Sequence, residues 1–165
     1  MRALAAALLL AATPAPRDPL DARREAIARE IVRVGEAIRR EVTAADVEAI
    51  ASRVPADGLR CGDRLVPRKR VVRDLRTPAS WMHGVLFGGP GYSPRAGEAA
   101  SLRDFFRRAG DVAYAVAFVA DDAAGPVGRP CLEFRARGPS APPFPLCFAA
   151  RNGRWIFTES LYPCG

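Results

Sequence analysis

The sequence predicts an α+β domain in which N-terminal helices pack on one face of a C-terminal four-stranded antiparallel meander. Two observations predict it. Up to Gly110 apolar residues recur at helical spacing, and after Gly110 the period falls to two, the strand value. The stretch Phe144 to Gly165 then reads as a closing β-hairpin, because Asn152-Gly153 suits a type I′ turn whose two central residues need φ > 0. A two-residue turn there pairs Ala150 with Trp155, Phe148 with Phe157 and Leu146 with Glu159. Leu146, Phe148, Trp155 and Phe157 then share one face, and Cys147, Ala149, Ile156 and Thr158 the other.

Taken in order, the first helix has Asp18 as N-cap and Pro19 at its first position, with Ile27, Ile31, Val34, Ile38 and Val42 as one apolar stripe. Thr43-Ala44-Ala45-Asp46 resembles a capping box and opens a second helix, with Val47, Ile50 and Val54 inward and Pro55 as its end. Residues 55–64 read as a loop. Pro67 starts a third helix whose apolar residues are Val71, Val72 and Leu75, and Thr77-Pro78 stops it. Residues 80–87 are apolar and too short for their pattern to separate a helical turn from a strand. Gly88 to Pro94 is a loop by composition; a fourth helix runs from Glu98 or Leu102 to Arg108 with Leu102, Phe105 and Phe106 inward and Gly110 at C′. Val112, Tyr114, Val116 and Phe118 alternate with small residues in the first strand, and residues 130–137 form the second, after a linker over 121–128. The large faces of these strands need the helices to cover them.

Residues 1–15 read as a signal peptide: Arg2, an apolar run from Ala3 to Ala12, then small residues and prolines. That run is far shorter than the roughly twenty residues of a membrane span. Residues 16–165 are then a single secreted or periplasmic domain, long enough for one core. The formal charge is +7, yet Lys69 is the only lysine. Arginine in that proportion, with much Ala, Pro and Gly, reads as coding bias, and no nucleic acid partner is expected.

Four cysteines in an exported chain predict two disulfides. Cys131 and Cys147 both point away from the apolar faces of their strands, so they are expected to bridge. Cys61–Cys164 remains as the second pair, closing a loop of about a hundred residues, worth about 4–5 kcal/mol in the chain-entropy model. No metal or other cofactor is expected, since no C-x-x-C pair occurs and His83 is the only histidine.

Helices first and a curved antiparallel sheet last, closed by Asn152-Gly153-Arg154-Trp155, resembles the cystatin-like cone of small NTF2-like domains. The resemblance covers residues 19–162 by element order. It implies a cone-shaped fold and carries over no catalytic residue, because no family motif is matched.

Chemistry has few candidates. Glu159 falls beside Trp155 and Phe157; a buried carboxylate there would have a raised pKa and could act as acid or base, whereas at a strand end it meets solvent. His83 is the sole imidazole, and with no nucleophile beside it reads as a packed or hydrogen-bonded side chain. Seven basic residues between Arg60 and Arg76 face only Asp63 and Asp74. If residues 68–76 are helical, Arg68, Lys69, Arg70, Arg73 and Arg76 surround the strip Val71, Val72 and Leu75 and could dock an anionic envelope surface, or simply be a solvated face. The Gly88–Gly91 loop lacks the G-K-[ST] of a phosphate cradle and reads as a connector or a lid. Glu133, Arg135 and Arg137 alternate on the sheet face of Cys131, lining a cleft in a cone and meeting water in an open sheet. The expected role is a non-enzymatic binding domain for a small ligand or protein partner. The alternatives are a small enzyme using Glu159 or His83, and an envelope-associated anion binder acting through Arg60–Arg76.

Overall fold

The computed structural model describes residues 18–61, 64–137, 142 and 144–158. Helix α1 (Pro19–Ala44) starts where its cap predicts: the Asp18 carboxylate accepts the Leu20 amide at 2.8 Å, and Pro19 fills a position whose N–H would be unpaired anyway. Its buried stripe is Ile31, Gly35, Ile38 and Val42. The helix ends at Ala45 in a left-handed conformation, φ 54°, held by amides of Ala45 and Asp46 closing on the carbonyls of Val42 and Glu41. Thr43 therefore lies inside α1 and caps nothing. Asp46 caps α2 (Val47–Ser52) itself, accepting the Ala49 amide at 2.9 Å, so the capping-box register is corrected by three residues.

The segment 55–64, expected as loop, instead carries β1 (Leu59–Cys61) and the start of β2 (Arg64–Val66), which pair as a small hairpin. Strands of three residues are too short to show a period. Next come α3 (Arg68–Arg76), α4 (Trp81–Phe87) and α5 (Leu102–Arg108). The ambiguous apolar stretch is thus helical; Ser80 decides it by accepting the His83 amide at 3.1 Å as an N-cap. Helix α5 leaves through Ala109 in an extended conformation, and Gly110 is not left-handed. The chain passes straight into a strand there, so no αL cap forms.

The meander follows as β3 (Val112–Val119), β4 (Arg129–Ala136), β5 (Leu146–Arg151) and β6 (Arg154–Phe157), in that order across the sheet. A short 3₁₀ helix, Asp122–Val127, occupies the linker before β4. The terminal hairpin has Phe148 opposite Phe157 and Ala150 opposite Trp155, with Asn152 and Gly153 at φ 51° and 71°. The Leu146–Glu159 pair lies outside the described residues. Leu132, Phe134, Leu146, Phe148 and Phe157 are buried beneath the helices together with Ile31, Ile38, Phe105 and Phe106. Helix α1 crosses β3 and β4 at Gly35, where an added Cβ would stand 2.5 Å from Leu132 Cδ2 and 3.1 Å from Tyr114. A side chain here would have to displace the Leu132 methyl and crowd the Tyr114 ring.

Cys131 lies opposite Cys147 in the β4–β5 ladder and is bonded to it. Cys61 is also disulfide-bonded; Cys164, its expected partner, lies outside the described residues. The Cys131–Cys147 bridge spans 16 residues. Replacing both cysteines by alanine is expected to lower the unfolding free energy by about 3 kcal/mol in a guanidinium titration without reductant. An unchanged midpoint would mean that the bridge constrains a chain already ordered when unfolded.

Candidate functional site

Helix α3 sorts its own residues. Val71, Val72 and Leu75 are buried in the core, which turns Lys69, Arg70, Arg73 and Arg76 outward. With Arg68 they line a shallow groove of about 920 Å³ along the helix. The apolar strip that could have entered a lipid surface is thus consumed by the fold, and the exposed face presents mainly charge.

The five basic side chains are not equivalent. The Arg68 guanidinium donates to the Ala51 and Val54 carbonyls at 3.2 and 3.4 Å, closing the open end of α2. Arg76 donates both bonds of a fork to Glu48 at 2.8 Å, and this contact holds the Glu48 carboxyl below its ordinary range. The pair is fully exposed, so it orients Arg76 rather than anchoring the fold. Arg70 and Arg73 stand 3.9 and 3.5 Å from Asp74. Lys69 has no ion pair or hydrogen bond among the described residues. Arg60 and Arg64, exposed on the β1–β2 hairpin, add positive charge at a second place in the same sequence segment.

His83 is half-buried, its Nδ1 2.7 Å from the Leu75 carbonyl oxygen and its ring packed on Phe87 with centroids 5.1 Å apart. The contact ties α4 to the end of α3. Glu159 lies outside the described residues, so no shared cavity with His83 is on view. Glu133 and Arg135 pair with each other at 2.7 Å on the exposed sheet face. Among the described residues no cluster of three His, Cys, Asp or Glu could hold a metal, and no helix is long and apolar enough to cross a membrane.

Two further concavities were not visible in the sequence. One lies beside α1 and β3, where Arg39, Arg40 and Glu36 overlook Phe106 and Tyr114 in an open cleft of about 640 Å³. The other, of about 340 Å³, gathers Trp81, Tyr92, Phe144 and Glu98. Trp81 meets Tyr92 edge-on at 5.9 Å and stacks on Phe144 at 6.3 Å. Gly84 and Gly91 admit the loop backbone, since a Cβ on Gly84 would lie 2.8 Å from Tyr92 and one on Gly91 2.2 Å from the Ser80 carbonyl oxygen. The glycine-rich segment is therefore a connector pinned against α4, not a free lid. Only the tertiary fold brings Phe144 to Trp81, 63 positions away in the chain, so no local pattern could have marked the pocket.

The Tyr92 hydroxyl donates to Glu98 at 2.7 Å. Burial first, then this bond, pushes the Tyr92 phenol up to about 12, and the same bond holds the Glu98 carboxyl below its ordinary value. A raised phenol stabilises the fold fully below its unfolded value near 10 and loses that contribution as pH rises through about 12. The depressed Glu98 acts in the acid range, contributing above its unfolded value of 4.5 and losing the contribution as pH falls through its lower folded value. In an ultraviolet titration one tyrosine is expected to ionise near 12, and Tyr92→Phe is expected to remove that step alone. Comparison with protein-family models, with curated proteins and with solved structures finds no match.

Proposed function

We propose that the chain is an exported binding domain without catalytic machinery, which engages an anionic polymer or surface of the cell envelope through the α3 groove. The observation that carries this is the groove itself: five basic side chains line it, while Asp74 and Glu48 are the carboxylates paired with them. Lys69, Arg70 and Arg73 project from a helix whose other face is locked in the core, so the charges are held at fixed spacing on a rigid element. Export is supported by the apolar run Ala3 to Ala12, followed by small residues and prolines, and by a disulfide between β4 and β5.

The test is retention of the full chain on heparin and on vesicles of phosphatidylglycerol or phosphatidylcholine, across a salt gradient. Arg68 is left intact because it closes the end of α2, and Arg76 because Glu48 already pairs with it. The combined Lys69→Gln, Arg70→Gln and Arg73→Gln variant is expected to bind anionic vesicles roughly a hundredfold more weakly, at about 1 kcal/mol per basic residue near an anionic surface. Binding to phosphatidylcholine should be absent for both proteins. Retention unchanged by the triple substitution, or unchanged by salt, would overturn the proposal.

A further inference from the structure

Strand β3 is an outer edge of the meander, and among the described residues it is paired with β4 alone. It pairs with β4 at all eight positions, Val112 with Ala136 through Val119 with Arg129, without a bulge. Its sequence, VAYAVAFV, has no charge and no proline. Proteins ordinarily guard such an edge with lysine, proline, a bulge or a covering element, because its outward amides and carbonyls will pair with any extended chain. None of those guards is built into β3.

The layer above the strand also stops short. On β4, Leu132 and Phe134 are 0% exposed, whereas Val116 and Tyr114 opposite them, and Phe118 opposite Pro130, are only partly buried. Beside them α1 sets Arg39 and Arg40 over the cleft floored by Tyr114 and Phe106. Neither arginine has an ion pair or hydrogen bond among the described residues. Other arginines nearby are committed: Arg24 donates to the Val127 and Pro126 carbonyls and covers Phe118, and Arg103 donates to the Thr43 carbonyl.

We propose that the β3 edge receives an extended acidic segment of another polypeptide as an added strand. The segment's backbone completes the ladder, its alternate apolar side chains extend the layer of Tyr114, Val116 and Phe118, and its carboxylates meet Arg39 and Arg40. Charge selects this occupant. Arg39 and Arg40 outnumber Glu36, the one carboxylate lining the same cleft, so a second copy of the chain would bring a further +7 to a net-positive rim, whereas an acidic strand is complementary to it. The surface is separate from the α3 groove, and the proposal stands independently of the role given to that groove.

The probes are two fluorescein-labelled decapeptides that alternate valine and threonine, one ending in glutamates at both termini and the other in lysines. Fluorescence anisotropy with the full chain is expected to show saturable binding of the glutamate peptide, about tenfold or more tighter than the lysine peptide, as two partly exposed ion pairs allow. Arg39→Gln with Arg40→Gln is expected to bring that ratio close to one; Arg40 is exposed, Arg39 is half-buried, and neither has an ion pair or hydrogen bond among the described residues, so an unchanged circular dichroism spectrum is expected to confirm that the double variant folds. Val116→Lys is expected to weaken both peptides. Amide exchange should slow at alternate residues of β3 on binding. Absence of binding, equal binding of the two peptides, a ratio unchanged in the double glutamine variant, or binding without protection of β3 would each overturn the proposal. So would a wild-type dimer in sedimentation equilibrium that Val116→Lys dissociates, since a second copy would then own the edge.

Discussion

Helix α1 lies against β3 and β4 at a distance set by residue 35, which brings no side chain to the contact. Most of the remaining geometry depends on that approach. Because α1 sits low over Leu132 and Tyr114, its buried stripe reaches the same layer as Phe105 and Phe106 from α5, and one continuous core forms instead of two thin ones. The same low crossing carries the polar side of α1 out past β3, which is how Arg39 and Arg40 come to stand over an open cleft. A bulkier residue at 35 would have to push aside the Leu132 methyl and the Tyr114 ring, and each contact they lose costs dispersion energy.

Charge in this chain divides into two populations that composition cannot separate. Some arginines are structural: Arg68 closes the end of α2, Arg24 and Arg103 satisfy loop and helix-end carbonyls, and Arg53 forks onto Glu41 at 3.0 and 2.5 Å. Arg68, Arg24 and Arg103 satisfy backbone acceptors that water would otherwise have to reach, Arg53 a carboxylate, and the planar guanidinium with its several donors suits both tasks better than an ammonium. Lys69, Arg39 and Arg40 do nothing of the kind. They lie on helix faces whose opposite sides are buried, so their charge is displayed on rigid supports. An arginine-rich composition hides this difference, and only partners and distances expose it.

How much was legible follows the length of each signal. Over α1 the apolar stripe repeats for several turns behind a proline and an aspartate cap, and the terminal hairpin rests on Asn152-Gly153, whose backbone demand few other dipeptides meet. The Cys131–Cys147 pairing was legible because strand alternation alone assigns each cysteine a face. The hairpin β1–β2 was not, since three-residue strands carry no period. The cap at Asp46 was misplaced because Thr43 and Asp46 can each begin a helix, and the winner was decided by the left-handed turn at Ala45. Basic residues on α3 were visible as a cluster, but the burial of Val71, Val72 and Leu75 is a tertiary fact that changes what the cluster can touch. The clefts beside Tyr114 and Trp81 join residues far apart in the chain, so their chemistry had no local signature.

The meander's two edges make different demands on the rest of the molecule. At β6 the Phe157 amide donates to the Arg53 carbonyl at 3.0 Å, so the loop after α2 occupies part of that edge and blocks strand addition there. At β3 nothing described does the same, and the large side chains of that strand remain partly open. A chain that uses its helices to cover one face, and a loop to guard one edge, has the means to guard the other. Leaving eight uncharged residues in ladder register at an open border risks aggregation through unpaired backbone groups, and the net charge of +7 offsets that risk by keeping identical chains apart. The same charge favours approach by an acidic strand. Edge chemistry and overall electrostatics therefore select in the same direction, against a copy of the chain and toward a partner of opposite sign.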